Sequence, residues 1–116
     1  MHQPHGSPAD DEVLILLCTA PTTQVGAVLA RIAVEARLAA CVNILDGVRS
    51  VYVWEGAVCD EPEVQLLFKT TRARIEALCE LVREAHPYEV PELLVLPADN
   101  AASSPAYLRF VRDAVG

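Results

Sequence analysis

The run Val51-Tyr52-Val53-Trp54-Glu55-Gly56 constrains the fold of this chain more than any other. Four consecutive strand formers meet a turn in which Gly56 supplies a positive φ, and the chain then returns from Ala57. The extended character reaches back to Cys41, interrupted at Asp46-Gly47, and forward to Lys69. A hairpin of this kind puts an antiparallel sheet at the centre of the fold. Pro62 lies inside the return strand and predicts a bulge or an edge position, because proline brings no N–H to the ladder. Beyond it Val64, Leu66 and Phe68 share one face, while Glu63, Gln65, Leu67 and Lys69 share the other.

Shorter elements flank the hairpin. Val13–Thr19 is a continuous apolar run and predicts a central strand buried on both faces. Ala20-Pro21 breaks it, and Thr22 or Thr23 caps a helix over Val25–Leu38, with Val25, Val28, Leu29, Ile32 and Leu38 at helical spacing. Gly26 weakens that helix by about 1 kcal/mol relative to alanine. Thr70-Thr71 caps a second helix, in which Ile75, Leu78, Cys79 and Val82 follow the i, i+3, i+4, i+7 pattern and which Pro87 ends. Leu93–Leu96 predicts another buried strand, closed by Pro97. Ser104-Pro105 starts a last helix, striped by Leu108, Val111 and Val115. The order is β-α-β-β-α-β plus a terminal helix. This is an α+β, ferredoxin-like sandwich with four antiparallel strands, both main helices on one face and an extra C-terminal helix.

The chain has 116 residues, 53% of them hydrophobic, enough for one domain with a real core. Residues 12–116 form that domain, and 1–11 read as a flexible polar tail. His2 and His5 belong to this tail and are read as solvated. The formal charge of −7 lacks the basic face that phosphate backbones require, and it disfavours anionic membrane surfaces, so neither nucleic acid nor membrane is expected as a partner. The four cysteines, Cys18, Cys41, Cys59 and Cys79, are widely spaced without a C-x-x-C pair. The polar start has no apolar leader run, so a reducing cytoplasm with free thiols is expected.

No G-x-S-x-G context surrounds a serine, and the glycines form no phosphate loop. The chemistry-bearing residues that remain are scattered. Cys18 is a small hydrophobe in a buried strand or a ligand, and the same choice stands for Cys41. Trp54, the single tryptophan, either caps the core or anchors a subunit contact. Glu55 sits in the turn; Lys69 is a solvated strand end or reaches a carboxylate such as Glu92. His86 closes a helix, where the dipole favours a cation, or it ligates a metal. Pro87 and Pro91 hold φ on either side of Tyr88-Glu89-Val90, so His86, Tyr88 and Glu92 are aimed in set directions. Glu89 and Glu92 are hard donors that suit copper(I) poorly.

The strings LLCTAP, LAACVNI, SVYVWEG, LLFKT and HPYEVPELLVLP, with the late Tyr107-Leu108, occur in this order and at these separations. Together they closely resemble the CutA family, the divalent-cation tolerance proteins, from about Val13 to Val115. The resemblance implies a cytoplasmic homotrimer knitted together by long hairpin strands, and a link to copper and other divalent metals. It implies a metal-binding role for Cys18 and His86, with Ala85 standing where some members carry a further histidine. It also implies a cleft between subunits built from Trp54, Glu55, Lys69, Tyr88, Glu92 and Tyr107. The function expected first is a non-enzymatic, copper- or divalent-metal-binding or metal-responsive homotrimer. The alternative is a trimeric small-molecule sensor or signalling scaffold using the polar cleft. An enzyme working through Lys69 and a glutamate is disfavoured, because no nucleophile or activated pair is visible.

Overall fold

The computed structural model describes residues 8–116. His2, His5 and the rest of the expected tail up to Ser7 lie outside the described residues. Pro8–Asp11 form a single 3-10 turn. Three contacts tie its neighbourhood to the domain: Arg72 N–H donates to the Glu12 carbonyl, Arg72 Nε to the Glu12 carboxylate, and Arg112 Nε to the Asp11 carbonyl.

Strand β1 spans Val13–Ala20, helix α1 Thr23–Glu35, β2 Cys41–Trp54, β3 Ala57–Thr71, α2 Arg72–Ala85, β4 Leu94–Pro97 and α3 Pro105–Val115. One antiparallel sheet runs in the order β2-β3-β1-β4, which is the split β-α-β arrangement expected from the sequence. Both α1 and α2 cover the same face. Leu14, Leu16 and Cys18 of β1 and Val64, Leu66 and Phe68 of β3 pack there against Leu29, Ala33, Ile75, Leu78 and Val82. Alternation puts Val13 on the opposite face, where Leu108 and Val111 of α3 close a second small core at one end of the sheet.

The hairpin closes as the sequence predicts and goes further. Trp54 pairs with Ala57, leaving a two-residue loop in which both Glu55 (φ 51°) and Gly56 (φ 80°) are left-handed, the geometry of a type I′ turn. The interruption at Asp46-Gly47 is a β-bulge. Leu45 pairs with Gln65 and Val48 with Glu63, so two residues of β2 face one of β3, and Gly47 at φ 77° takes the left-handed position. Pro62 pairs with Arg49, beyond the end of the β1–β3 ladder at Ala20↔Val64. Its missing N–H therefore interrupts no ladder to β1. The ribbon past this point projects from the sheet and gives the chain its 55 × 28 × 25 Å extents.

Several expectations are corrected. Strand β1 is buried on its helix face, but Ile15, Leu17 and Thr19 on the other face are only half-buried. The edge strand β4 is exposed, not buried: Leu94 is 53% accessible and Leu96 40%. A continuous apolar run needs both faces covered, and one chain covers only one. In α1, Val28 is 58% exposed, and Gly26 with Leu29 and Ala33 faces the sheet instead. The helix ends at Glu35 rather than Leu38, because Arg37 turns left-handed at φ 58°. Thr22 caps α1 by accepting from Val25 N–H, and Ser104 caps α3 by accepting from Tyr107 N–H. Thr71 occupies the cap position of α2 without a side-chain bond; Thr70 instead donates to the Leu38 carbonyl at 2.7 Å.

Candidate functional site

Strand β4 pairs with β1 only as far as Leu17↔Leu94. Beyond that point the edge of β1 has no strand partner, and the His86–Glu92 connector takes its place. His86 Nε2 donates to the Thr19 carbonyl at 2.7 Å, and its Nδ1 accepts the Tyr88 N–H at 3.1 Å. Both ring nitrogens are thus used, and the imidazole is the neutral Nε2–H tautomer. It is 92% buried, since its exposure is 8%, and its ring lies 4.7 Å from that of Tyr88. His86 is a peg joining the end of α2 to the open edge of β1, rather than a cation at a helix terminus.

Cys18 meets the same carbonyl: its Sγ lies 3.5 Å from Thr19 O. The fold therefore brings Cys18 and His86 to one oxygen atom. Cys18 is fully buried, and its thiol is pushed up to about 12, first by burial and then by the Glu92 and Glu63 carboxylates. At neutral pH it is a protonated thiol, not a thiolate. Among the described residues no three of His, Cys, Asp and Glu are grouped so as to hold a metal ion. The pair is not a ready coordination sphere: a metal there would displace a thiol proton and an imidazole hydrogen bond.

On the other side of the connector a cleft of about 710 Å³ opens between it and the ribbon. Ser50, Tyr52 and Trp54 enter it from β2, on one face by strict alternation, and Glu63 enters from β3. Tyr88, Glu89 and Glu92 enter from the connector, whose Pro87 and Pro91 also form its wall. Tyr88 Oη donates to Glu63 Oε2 at 2.5 Å, and burial together with that carboxylate raises the phenol well above its usual range. Gln65 Nε2 reaches Glu92 Oε1 at 3.2 Å and the Cys18 carbonyl at 3.1 Å, linking cleft and core. Tyr52 donates to Glu61, which pushes its phenol up to about 12.

Of the residues singled out in the sequence, Trp54, Tyr88, Glu89 and Glu92 thus share this cleft. Glu55 stands at the hairpin tip, outside it. Lys69 and Tyr107 stand at the other end of the sheet: Lys69 Nζ donates to Asn43 Oδ1, not to Glu92, and Tyr107 lies beside Cys41 with its ring 5.6 Å from Phe110. Thr19, Ser50, Tyr52 and Glu63 were not singled out. Period-two alternation from Trp54 would have found Tyr52 and Ser50, whereas Glu63 needs the cross-strand register and the fold of the connector.

Residues 14–114 match the family model described as CutA1 divalent ion tolerance protein. The chain belongs to this family. It is 44% identical over 92 residues to the divalent-cation tolerance protein CutA of Pectobacterium atrosepticum, which covers 79% of this chain and 84% of the relative. The crystal structure of CutA from Xylella fastidiosa superposes with a TM-score of 0.87 at 30% identity, over 90% of this chain and 99% of that one. A PII-like protein CutA from Nostoc sp. PCC 7120, in apo form, superposes with a TM-score of 0.83 at 41% identity, over 89% and 97% of the two chains. The family and the Pectobacterium relative are named for tolerance of divalent ions, not for a reaction. Among the described residues no helix is long and apolar enough to cross a membrane.

Proposed function

We propose that this protein is a non-enzymatic, cytoplasmic homotrimer that serves divalent-metal tolerance by responding to a bound ligand. Residues 12–116 act as its single domain. Copper, or another divalent metal, is the ligand to which the family name points, and Cys18 with His86 is the pair that would meet it. The supporting observation is the convergence of Cys18 Sγ and His86 Nε2 on the Thr19 carbonyl, which puts a soft and a borderline donor at one place. Because the thiol holds its proton to about 12, copper binding releases protons and strengthens with rising pH. Calorimetric titration of copper into the full chain carrying His2→Ala and His5→Ala tests this under reducing conditions. We expect a fixed stoichiometry per chain, lost in Cys18→Ser, His86→Gln. Binding unchanged by that pair of substitutions removes the site.

A second reading is a small-molecule sensor or signalling scaffold, favoured by the cleft between connector and ribbon and by the Nostoc relative described as PII-like. In a homotrimer, Glu55, Lys69 and Tyr107 of a neighbouring chain would complete that cleft. Fractionation of the native cells tests the compartment.

A further inference from the structure

The connector that walls the cleft hangs on side chains. Among the described residues no backbone–backbone hydrogen bond fixes 87–92, which lie between α2 and β4. Four bonds hold it instead. His86 Nε2 donates to the Thr19 carbonyl at 2.7 Å, and His86 Nδ1 accepts from Tyr88 N–H at 3.1 Å. Tyr88 Oη donates to Glu63 at 2.5 Å, and Gln65 Nε2 donates to Glu92 at 3.2 Å. The Gln65–Glu92 bond is exposed, so water competes for it, whereas the ring of His86 is buried. That ring is enclosed by its own chain, so a neighbouring chain in the proposed homotrimer adds no partner to its two nitrogens.

The metal reading above, on which this inference rests, asks the ring for a lone pair that is already in use. A neutral imidazole carries one in-plane lone pair on nitrogen. In His86 it lies on Nδ1, and Tyr88 N–H holds it. If Nδ1 coordinates, Tyr88 N–H loses its acceptor directly. If Nε2 coordinates, its proton must first move to Nδ1, where N–H then faces N–H, and the Thr19 carbonyl loses its donor as well. By either nitrogen the same amide loses its partner. Among the described residues nothing else accepts from Tyr88 N–H, so this amide must turn to water.

We propose that His86 is a latch: metal engagement at Cys18 and His86 frees Tyr88 N–H, and the connector swings away from the edge of β1, so that the wall of the cleft reports whether metal is bound. Pro87 and Pro91 stiffen the segment, so it moves as one piece. Tyr88 then carries its phenol off Glu63, and Glu92 leaves Gln65, whose amide also reaches the Cys18 carbonyl. In the proposed homotrimer this wall is the one that Glu55, Lys69 and Tyr107 of a neighbouring chain would meet, so a change at a buried ring reaches a subunit contact.

Hydrogen exchange at the Tyr88 amide, resolved by NMR, tests the latch on the full chain carrying His2→Ala and His5→Ala. It is measured metal-free and with copper(I) under reducing conditions, at the loading that calorimetry defines. Exchange at Tyr88 is expected to quicken about tenfold on loading, the effect of one lost hydrogen bond, while the amides of α3 keep their rates. Metal-free His86→Gln, which keeps a donor for Thr19 but no acceptor in place of Nδ1, is expected to show the same fast exchange at Tyr88, with circular dichroism showing it folded. Unchanged exchange at Tyr88 in the copper-loaded protein overturns the latch and leaves the metal site standing. Acceleration that includes α3 overturns it too, since the whole fold would then have loosened. A folded His86→Gln protein with the parent's slow exchange shows that Nδ1 is not what holds the amide, and the latch falls. Calorimetry without binding that depends on Cys18 and His86 removes the metal reading, and the latch with it.

Discussion

A thiol closed between a sheet and two helices is a small hydrophobe until it loses its proton. Cys18 is such a group, with a pKa raised from 9.0 to about 12 by burial and by Glu92 and Glu63. The consequence for stability has a definite sign. In the unfolded chain the thiol ionises near 9.0, whereas in the folded chain it keeps its proton to about 12, so its contribution is complete below pH 9 and is lost between these values. The melting temperature is therefore expected to fall as pH rises from 9 toward 12, and Cys18→Ala should make that fall shallower whatever it does to stability at pH 7. Equal slopes for the two proteins in differential scanning calorimetry would contradict this. His86, at the end of α2, carries the complementary lesson. Its type and place fit a metal ligand or a helix-end cation, but the bonds to Thr19 and Tyr88 make it a structural peg, and no sequence pattern reports a contact made across 67 positions.

At the scale of elements, Gly26 shows how a propensity argument inverts in context. By propensity it weakens α1, yet a Cβ built there would lie 3.2 Å from Leu66 Cδ2 and 3.6 Å from Val64 Cγ1. The glycine lets α1 approach β3 closely, and the stripe moves off Val28 as a result. Gly26→Val puts further methyl groups into that contact, and a loss of about 1–3 kcal/mol in urea denaturation is expected. A variant as stable as the parent would show that the helix can slide outward at no cost. The β2–β3 hairpin behaves the other way. Its turn and its alternation were legible and its bulge showed as an interruption, because each depends on residues adjacent in sequence: Glu55-Gly56, the run from Val64 to Lys69 and Asp46-Gly47.

The whole molecule carries an apolar surplus that one chain cannot bury. Val51, Val53 and Val58 on the ribbon are 63%, 67% and 75% exposed, and β4 shows Leu94 and Leu96 beside half-buried Ile15 and Leu17. Patches of this kind mark association surfaces. With the homotrimer proposed above, sedimentation equilibrium is expected to return three times the 12.6 kDa of one chain. Val58→Asp with Leu96→Lys should dissociate it, since each places a charge on an apolar contact at no cost to the single-chain core. A parent protein sedimenting with the mass of one chain would refute the assembly.

The sequence by itself determined what depends on short range: element order, the hairpin turn at Glu55-Gly56, the capped starts of α1 and α3, and the sheet face that is apolar. Those follow from periodicity and from the φ preferences of a few residues, which act before any tertiary contact forms. Its family resemblance also grouped Trp54, Glu55, Lys69, Tyr88, Glu92 and Tyr107 as one cleft, and Cys18 with His86. Only the tertiary structure decided where they meet. Cys18 and His86 converge because β4 stops short and leaves the Thr19 carbonyl open to the connector. Glu63 joins the cleft because the bulge sets its register against Val48, while Lys69 turns to Asn43 at the far end of the same strand. Those outcomes rest on contacts between distant segments, whose geometry is fixed by packing and by the need to satisfy buried polar groups.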